Sequence, residues 1–212
     1  MKKVLAFFGA FNPPTKAHVD LAKLAMEQTE SNGVVFVPSK TEYIEEEQKK
    51  DWAFNRMDRL AMLERIRQKN YLWMSFSLHD MFSDDQPKTY DTLRFLRDNQ
   101  GYDPTLLVGS DQFYRMEKEW EHVPEIAEEF GIVCIPRYMY HTADLLLQTR
   151  PFYQKIAPYV TLLDVPYEYE YNDISSTRAR SLVKSLNITL NELENILPAE
   201  IFDYVVVKEE PF

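Results

Sequence analysis

Three polar segments of the chain contain residue types that could bind and transfer phosphate. In the first, Thr15 and His18 follow Gly9 and are three residues apart, which places their side chains on one face of a helix. A hydroxyl, an imidazole and the N–H groups of a helix N-terminus could together hold one phosphate. Alternatively, Thr15 caps the helix and His18 is an ordinary, partly buried histidine. Taken alone, this segment favours neither interpretation.

The second segment runs from Ile174 to Arg180 and is rich in hydroxyl side chains. Ser175, Ser176 and Thr177 precede a predicted helix, where hydroxyls can cap the helix and also donate to phosphate. Arg180 adds a guanidinium group whose fork matches phosphate oxygens. Without further information, a plain helix cap followed by a solvated arginine is the simpler explanation.

The third segment is Gly109-Ser110-Asp111, which follows an apolar run and precedes Trp120. The Asp111 carboxylate could accept hydrogen bonds from ribose hydroxyls, and an indole face can stack on a flat heteroaromatic ring. The alternatives are that Asp111 caps the next helix and that Trp120 fills a gap in the core, which is the more common role of a tryptophan.

These segments must be positioned by the elements between them, and the apolar pattern predicts an α/β fold. Six short apolar runs are typical of strands buried on both faces of a parallel sheet: residues 4–8, 34–37, 73–78, 106–108, 132–135 and 160–163. Helical periodicity appears between and after them: residues 17–28, 54–67, 90–99, 124–130, 178–185, 190–197 and 198–207. This order predicts a Rossmann-like, doubly wound parallel sheet with a C-terminal helical segment, and such sheets bind ligands beyond the carboxyl ends of their strands.

The polar segments also resemble known motifs. Gly9-Ala10-Phe11-Asn12-Pro13 and Thr15-Lys16-Ala17-His18 resemble the nucleotidyltransferase superfamily signature, in which Gly-x-Phe-(Asp/Asn)-Pro precedes (His/Thr)-x-Gly-His. Ala17 replaces the glycine of that pattern. The segment from Ile174 to Arg180 is similar to the Ile-Ser-Ser-Thr-x-x-Arg motif of nicotinate and nicotinamide mononucleotide adenylyltransferases, and Gly109 to Asp111 resembles their Gly-x-Asp.

The resemblance implies an enzyme of NAD biosynthesis that joins nicotinate or nicotinamide mononucleotide to the AMP moiety of ATP and releases pyrophosphate. His18 would be catalytic, with Thr15 supporting it, and Mg²⁺ would be bound through ATP phosphates rather than by a protein residue. The implied ATP-binding residues come from all three segments: Gly9, Ala10, Phe11, His18, Gly109, Asp111, Ile174, Ser175, Ser176, Thr177 and Arg180. The turn after the first strand and the segment near Ser176 are therefore expected to meet around one triphosphate.

The mononucleotide would be bound by a second set of residues, namely Asn12, Thr89, Asp111 and Trp120. Thr89 belongs to a stretch that resembles the family's (Ser/Thr)-Tyr-x-x-Asp-Thr-Leu region in compressed form, and Trp120 corresponds to a tryptophan that stacks on the pyridine ring. After the second strand, residues 39–42 stand where bacterial nicotinate enzymes carry Pro-Pro-His-Lys. Lys40, Lys49 or Lys50 could take over its contact with the substrate phosphate.

The composition bounds the class of protein. The chain has 212 residues, 45% of them hydrophobic, and its five glycines form no Gly/Ser-rich linker. We therefore expect a single nucleotidyltransferase domain over residues 1–212, with a Rossmann-like core at 1–165 and a helical part at 172–207 that contains the Ile-Ser-Ser-Thr segment. The charged run at 42–51 predicts a mobile loop.

Charge and cysteine content exclude other classes. The net charge of −10 argues against a general nucleic-acid binder, which needs basic surface to displace counterions. Cys134, the only cysteine, permits no intramolecular disulfide and is expected to be buried. The apolar N-terminal stretch ends at Asn12, too early for a signal peptide, and no run reaches the roughly 18 apolar residues of a membrane helix. We expect a cytoplasmic protein that binds neither nucleic acid nor membrane; the sequence makes no prediction of oligomeric state.

Two other functions fit the same residues. One is another nucleotidyltransferase of the superfamily, acting on a pantetheine or polyol phosphate, although Trp120 and the Ile-Ser-Ser-Thr segment favour a pyridine nucleotide. The other is a catalytically silent nucleotide-binding sensor, which Thr15, Ala17 and the altered segment after Pro38 would suit. Pyrophosphate release would distinguish an enzyme from a sensor.

Overall fold

The computed structural model contains a parallel sheet with helices on both faces. It describes residues 1–46, 53–136, 142–166, 171, 174–184 and 190–207. Within these residues the strands are β1 (Lys2–Gly9), β2 (Val34–Pro38), β3 (Met74–Phe76), β4 (Tyr102–Gly109), β5 (Ile132–Ile135) and β6 (Val160–Leu162). All neighbouring strands are parallel, in the order β3-β2-β1-β4-β5-β6. The predicted Rossmann-like sheet is confirmed.

The helices occupy the intervals and the C-terminal part of the described chain. They are α1 (Lys16–Gln28), α2 (Thr41–Glu46), α3 (Arg56–Asn70), α4 (His79–Phe82), α5 (Thr89–Asp98), α6 (Ser110–Glu119), α7 (Val123–Phe130), α8 (Thr142–Thr149), α9 (Pro151–Ile156), α10 (Ser176–Lys184), α11 (Leu190–Ile196) and α12 (Ala199–Val207). A 3-10 turn at Ala157–Tyr159 leads into β6. No helix in these described ranges is long and apolar enough to cross a membrane.

Alternate residues of the strands point to opposite faces of the sheet and build two cores. Leu5 belongs to one hydrophobic cluster, together with side chains of α1, α3, α11 and α12. Val4 and Ala6 belong to the other, together with side chains of α5, α6, α7, α8 and α9. Since strands and both helical layers bury apolar side chains together, the continuous apolar runs of the sequence are explained by burial on two faces.

The chain order of the sheet creates a crevice between β1 and β4. From β1 the sheet grows toward β2 and β3 on one side, whereas β4, β5 and β6 extend the other side. The helices that follow these two central strands lie on opposite faces, because α1 packs in the first cluster and α6 in the second. Their connections therefore diverge at the carboxyl ends of β1 and β4, where ligands bind in sheets of this kind.

One local expectation is wrong: the charged run that begins at Glu42 does not start as a mobile loop. Residues Thr41–Glu46 form α2, and Ile44 is completely buried while its charged neighbours Glu42 and Glu45 are exposed. A single buried isoleucine anchors this turn to the core, which composition alone does not indicate. Lys49 and Lys50 lie outside the described residues.

Candidate active site

The turn after β1 is shaped by Gly9 and Phe11. Phe11 adopts a left-handed backbone conformation with φ of 44°, and its ring is almost completely buried. A Cβ atom on residue 9 would lie 3.1 Å from Cζ of that ring, so Gly9 leaves the space into which the ring packs. Phe11 can therefore offer a ligand its backbone, while its side chain belongs to the core.

His18 is held by the first turn of α1. Its Nδ1 accepts a hydrogen bond from the backbone N–H of Thr15 at 3.0 Å, and Oγ1 of Thr15 lies 2.8 Å from the same nitrogen. The imidazole also packs edge-on against the Phe11 ring, with 5.3 Å between centroids. Because Nδ1 accepts, the proton of the neutral imidazole is on Nε2, which makes the other side of the ring a hydrogen-bond donor.

Thr15 and Ala17 are both buried in this turn. Thr15 is the N-cap residue of α1, which is one of the two roles that the sequence allowed. Its hydroxyl also contacts the imidazole of His18, so the same residue caps the helix and holds the imidazole. Ala17, which replaces the glycine of the superfamily pattern, is part of the hydrophobic cluster that contains α1. Its methyl group thus fills core space behind the turn.

The turn after β1 and the hydroxyl-rich segment meet, as expected from the sequence. Nη1 of Arg180 donates to the carbonyl of Asn12 at 2.8 Å, and Oγ of Ser176 donates to the carbonyl of Pro13 at 2.8 Å. Asn12 is itself fixed, because its buried Oδ1 accepts from the backbone N–H of Phe54 at 2.9 Å. Two segments that are more than 160 positions apart in the chain therefore form one surface.

The side chains of the hydroxyl-rich segment differ in their contacts and in their burial. Oγ of Ser175 accepts from the N–H of Arg178 at 3.1 Å and so caps α10. Oγ1 of Thr177, an exposed residue, lies 3.3 Å from Nη2 of Arg180. Arg180 is buried, with 7% of its surface exposed, so the alternative of a solvated arginine is wrong. Ile174 packs against the first hydrophobic cluster.

At the end of β4, Gly109 leads into α6 and Asp111 lies in the first turn of that helix, half-buried. The charge of Asp111 and, to a greater degree, burial raise the pKa of Cys134 to about 12. Cys134 is buried on β5, as its apolar sequence context predicts. Asp111 therefore lies near the carboxyl end of the sheet, beside the crevice between β4 and β1.

Trp120 and Thr89, both predicted to contact the mononucleotide, lie on adjoining segments. Trp120 ends α6 and is half-buried against the second cluster. The two residues that follow it contact the start of α5: Glu121 pairs with Lys88 at 2.8 Å, and the ring of His122 stacks on that of Tyr90 with 5.3 Å between centroids.

The chain is similar in sequence and in fold to known proteins. The model of a family described as cytidylyltransferase-like matches residues 6–182. The chain belongs to the cytidylyltransferase-like family. A probable nicotinate-nucleotide adenylyltransferase of Carboxydothermus hydrogenoformans is 24% identical to it over 205 residues, which cover 96% of this chain and 95% of that one. A second such relative, from Desulfotalea psychrophila, is 26% identical over 219 residues and covers 97% of this chain and 98% of its own.

A solved structure has the same fold. The Plasmodium falciparum nicotinic acid mononucleotide adenylyltransferase complexed with NaAD superposes with a TM-score of 0.77, covering 98% of this chain and 96% of that one, at 19% identity. This likeness extends over the sheet and over the C-terminal helices α10 to α12, which the family model covers only in part.

In this member of the cytidylyltransferase-like family, the segment after β2 is tied to a buried carboxylate. The N–H of Lys40 donates to Oε1 of Gln86 at 2.9 Å, and Nε2 of Gln86 donates to Asp80 at 2.9 Å. Asp80 also accepts from the hydroxyl of Thr92 at 2.7 Å. Burial raises the pKa of Asp80 to about 6, against the smaller, opposite effect of these hydrogen bonds. The ammonium group of Lys40 donates to the carbonyl of Asp84.

A buried arginine on α3 was not among the residues predicted from the sequence. Arg59 is fully buried, and its guanidinium donates to the carbonyl of Ala10 at 2.8 Å and to Oγ1 of Thr41 at 2.9 Å. Burial lowers its pKa to about 10, although Glu42 and Glu45 oppose this shift. A signal was present in the sequence: Arg59 occupies the apolar face of α3, at helical spacing from Met62, Leu63 and Ile66.

Proposed function

We propose that this protein is an adenylyltransferase that joins nicotinate mononucleotide to the AMP moiety of ATP and releases pyrophosphate, in NAD biosynthesis. The observation that carries the proposal is the contact between the turn after β1 and the hydroxyl-rich segment, through Arg180 and Asn12 and through Ser176 and Pro13. This contact supports a site near the end of β1 in which the imidazole of His18, the hydroxyls and the guanidinium of Arg180 act on one triphosphate. The names of the two curated relatives support the pyridine mononucleotide as the second substrate.

The chemistry needs no covalent intermediate and no general base. A 5′-phosphate oxygen of the mononucleotide attacks the α-phosphorus of ATP, and the bond from that phosphorus to the oxygen bridging to the β-phosphate breaks. The electron pair leaves with pyrophosphate. Since a phosphate oxygen is already a competent nucleophile, catalysis consists of alignment and of stabilising charge on the transferring group.

His18 supplies the donor for the transferring group. Its Nδ1 is engaged by Thr15, so Nε2–H is oriented by the helix rather than by the ligand. A donor that is fixed in place before the substrate arrives costs no reorganisation during the reaction. Thr15 therefore acts through His18, while the backbone of Gly9, Ala10 and Phe11 forms the wall against which ATP lies.

Ser176, Thr177 and Arg180 hold the β- and γ-phosphates, with Ile174 and Ser175 shaping the start of α10. The N-terminus of α10 adds backbone N–H groups and a favourable dipole for an anion. Arg180 keeps one nitrogen on the Asn12 carbonyl, which fixes its planar head for phosphate contact. Gly109 and Asp111 contribute from the end of β4, on the opposite side of the crevice.

The mononucleotide binds beside this triphosphate, against Asn12, Thr89, Asp111 and Trp120. Asp111 accepts from ribose hydroxyls, and the indole of Trp120 stacks on the pyridine ring. The ion pair of Lys88 with Glu121 and the stacking of Tyr90 on His122 join the segments that carry Thr89 and Trp120. Lys40, or Lys49 and Lys50, would supply positive charge near the substrate phosphate.

Mg²⁺ fits this site as an ion carried by ATP. In the described ranges, histidine, cysteine and carboxylate side chains form no group of three or more that could hold a metal. The guanidinium of Arg180 and the hydroxyl of Ser176, which meet the turn after β1, can donate to phosphate oxygens. Bound through the triphosphate, Mg²⁺ would neutralise charge on the phosphate oxygens.

A turnover panel tests the proposal. The purified protein is incubated with ATP, Mg²⁺ and one of three acceptors: nicotinate mononucleotide, nicotinamide mononucleotide or phosphopantetheine. We expect stoichiometric release of pyrophosphate and dinucleotide with a pyridine mononucleotide, and the acid to be preferred. Turnover with phosphopantetheine alone would reassign the substrate, and binding of ATP without pyrophosphate release would make the protein a sensor.

A further inference from the structure

Arg59 links the segments that follow the two neighbouring strands β1 and β2. Its carbonyl acceptor, Ala10, belongs to the turn that carries the proposed ATP contacts. Its hydroxyl acceptor, Thr41, begins α2 in the segment after β2, which stands in the place of the family's substrate loop but differs from it in sequence. We propose that Arg59 is a positioning residue that fixes the ATP-binding turn relative to the segment after β2. This inference rests on the proposed function and adds a residue that touches neither substrate.

The geometry suits a rigid connector. The two bonds, of 2.8 and 2.9 Å, leave from different terminal nitrogens of one planar group, so the group fixes both acceptors at a set separation and angle. The start of α3, the helix that carries Arg59, is also held in place. Phe54, just before α3, donates its N–H to Asn12, and Asp58 accepts from the hydroxyl of Tyr204 on α12 at 2.7 Å.

Stability does not account for a charge at this position. Taking an arginine completely out of water is unfavourable, and a well-packed apolar side chain of similar size is often as stable or more so. Arg59 moreover leaves its Nε without a hydrogen-bond partner among the described residues. The compensating charges, Glu42 and Glu45, are on exposed positions of α2, where their attraction is screened. What the side chain contributes is the alignment of the two segments it holds.

The test separates alignment from folding. Arg59→Met replaces the charge by an apolar chain of similar length, and Arg56→Met, at an exposed position of the same helix, is the matched control. We expect the melting temperature of Arg59→Met to stay at or above that of the wild type. We expect its kcat to fall by about 30- to 100-fold, with both KM values changing less than about threefold, since small misalignment of reactants affects chemistry most. Arg56→Met keeps the wild-type rate.

Thr41→Val provides a milder variant that removes only one of the two acceptors. It should lower kcat by about 3- to 10-fold, and in the Arg59→Met background it should have no further effect, because the two residues act through one contact. If Arg59→Met does not fold, Thr41→Val decides alone: a wild-type rate in that variant overturns the inference.

Hydrogen exchange gives a readout independent of turnover. Loss of Arg59 should accelerate amide exchange in residues 9–12 and 41–46 together, with unchanged exchange in β4 and β5. A folded Arg59→Met protein with the wild-type kcat, or with unchanged exchange in both segments, overturns the positioning role. A wild-type protein that releases no pyrophosphate with either mononucleotide overturns the proposed function instead, and the exchange result still decides whether Arg59 couples the segments.

Discussion

The Oγ1 of Thr15 lies 2.8 Å from Nδ1 of His18, and the backbone N–H of the same threonine donates to that nitrogen over 3.0 Å. Because a backbone N–H can only donate, the hydroxyl must also act as a donor if it shares the nitrogen. His18 is thereby limited to donating through Nε2. The first turn of α1 thus sets the position of the imidazole and also which of its nitrogens carries the proton.

Replacing His18 tests whether this donor stabilises the transferring phosphate. His18→Ala should raise the activation free energy by about 2–4 kcal/mol, the usual effect of removing one preorganised donor, and the loss should appear in kcat. Steady-state kinetics of pyrophosphate release measure it, with His79→Ala as a control because that ring stacks on Phe95, on α5. A folded His18→Ala protein with unchanged turnover removes His18 from the mechanism.

Thr15→Val should have a smaller effect than His18→Ala. Valine keeps the backbone N–H that holds Nδ1 and loses only the hydroxyl contact, so we expect about 1 kcal/mol of activation free energy and a similar loss of stability from the cap. The double variant should be no slower than His18→Ala alone, since Thr15 acts through the imidazole. If the two substitutions lowered turnover multiplicatively in the double variant, Thr15 would instead contact the substrate independently of His18.

The sequence predicts those features that depend on local pattern. Buried strands appear as continuous apolar runs, and the residues that end β1 and β4 follow from the end of each run. The position of His18 in the first turn of a helix follows from Pro13-Pro14-Thr15, which precede α1. Whether the segment at 174–180 contacts the turn after β1 depends on the tertiary fold, which local pattern does not predict. That contact was expected only because both segments resemble known motifs.

The features that the sequence did not reveal are polar groups buried by tertiary contacts. Arg180 looks solvated in a hydroxyl-rich segment, yet it is buried because the carbonyl of Asn12 accepts from it across the fold. Arg59 and Asp80 are similar cases, with acceptors or donors on other elements. Side-chain type and periodicity describe one element at a time, so they do not reveal a hydrogen-bond partner that lies on a second element.

Trp120 is predicted to contribute to binding of the mononucleotide and not of ATP. Trp120→Ala should raise KM for the mononucleotide by roughly 3- to 10-fold, the effect of losing one aromatic stacking contact, with little change in KM for ATP. Trp120→Phe retains a stacking face and controls for the packing of this half-buried side chain against the second cluster. A defect confined to ATP would contradict stacking on the pyridine ring.

Asp80 should make stability depend on pH in a defined window. Burial raises its pKa from 3.8 to about 6 in the folded protein, so between about pH 4 and pH 6 the folded state holds a proton that the unfolded state has lost. The contribution of this carboxyl to the free energy of unfolding therefore falls as pH rises through that window and is constant above it. The full change is about 3 kcal/mol, since each pKa unit corresponds to about 1.4 kcal/mol.

Asp80→Asn isolates this contribution, because asparagine cannot titrate and still accepts from Thr92. Urea unfolding at several pH values gives the free energy of unfolding of both proteins, and the difference between them should decline between pH 4 and pH 6. If the free energies of unfolding of the two proteins changed in parallel across this pH range, the carboxyl would keep its ordinary pKa in the folded state. Gln86 joins Asp80 to the N–H of Lys40, in the segment after β2. Because an ionised carboxylate accepts hydrogen bonds more strongly, we expect Asp80 to hold this segment more firmly above pH 6.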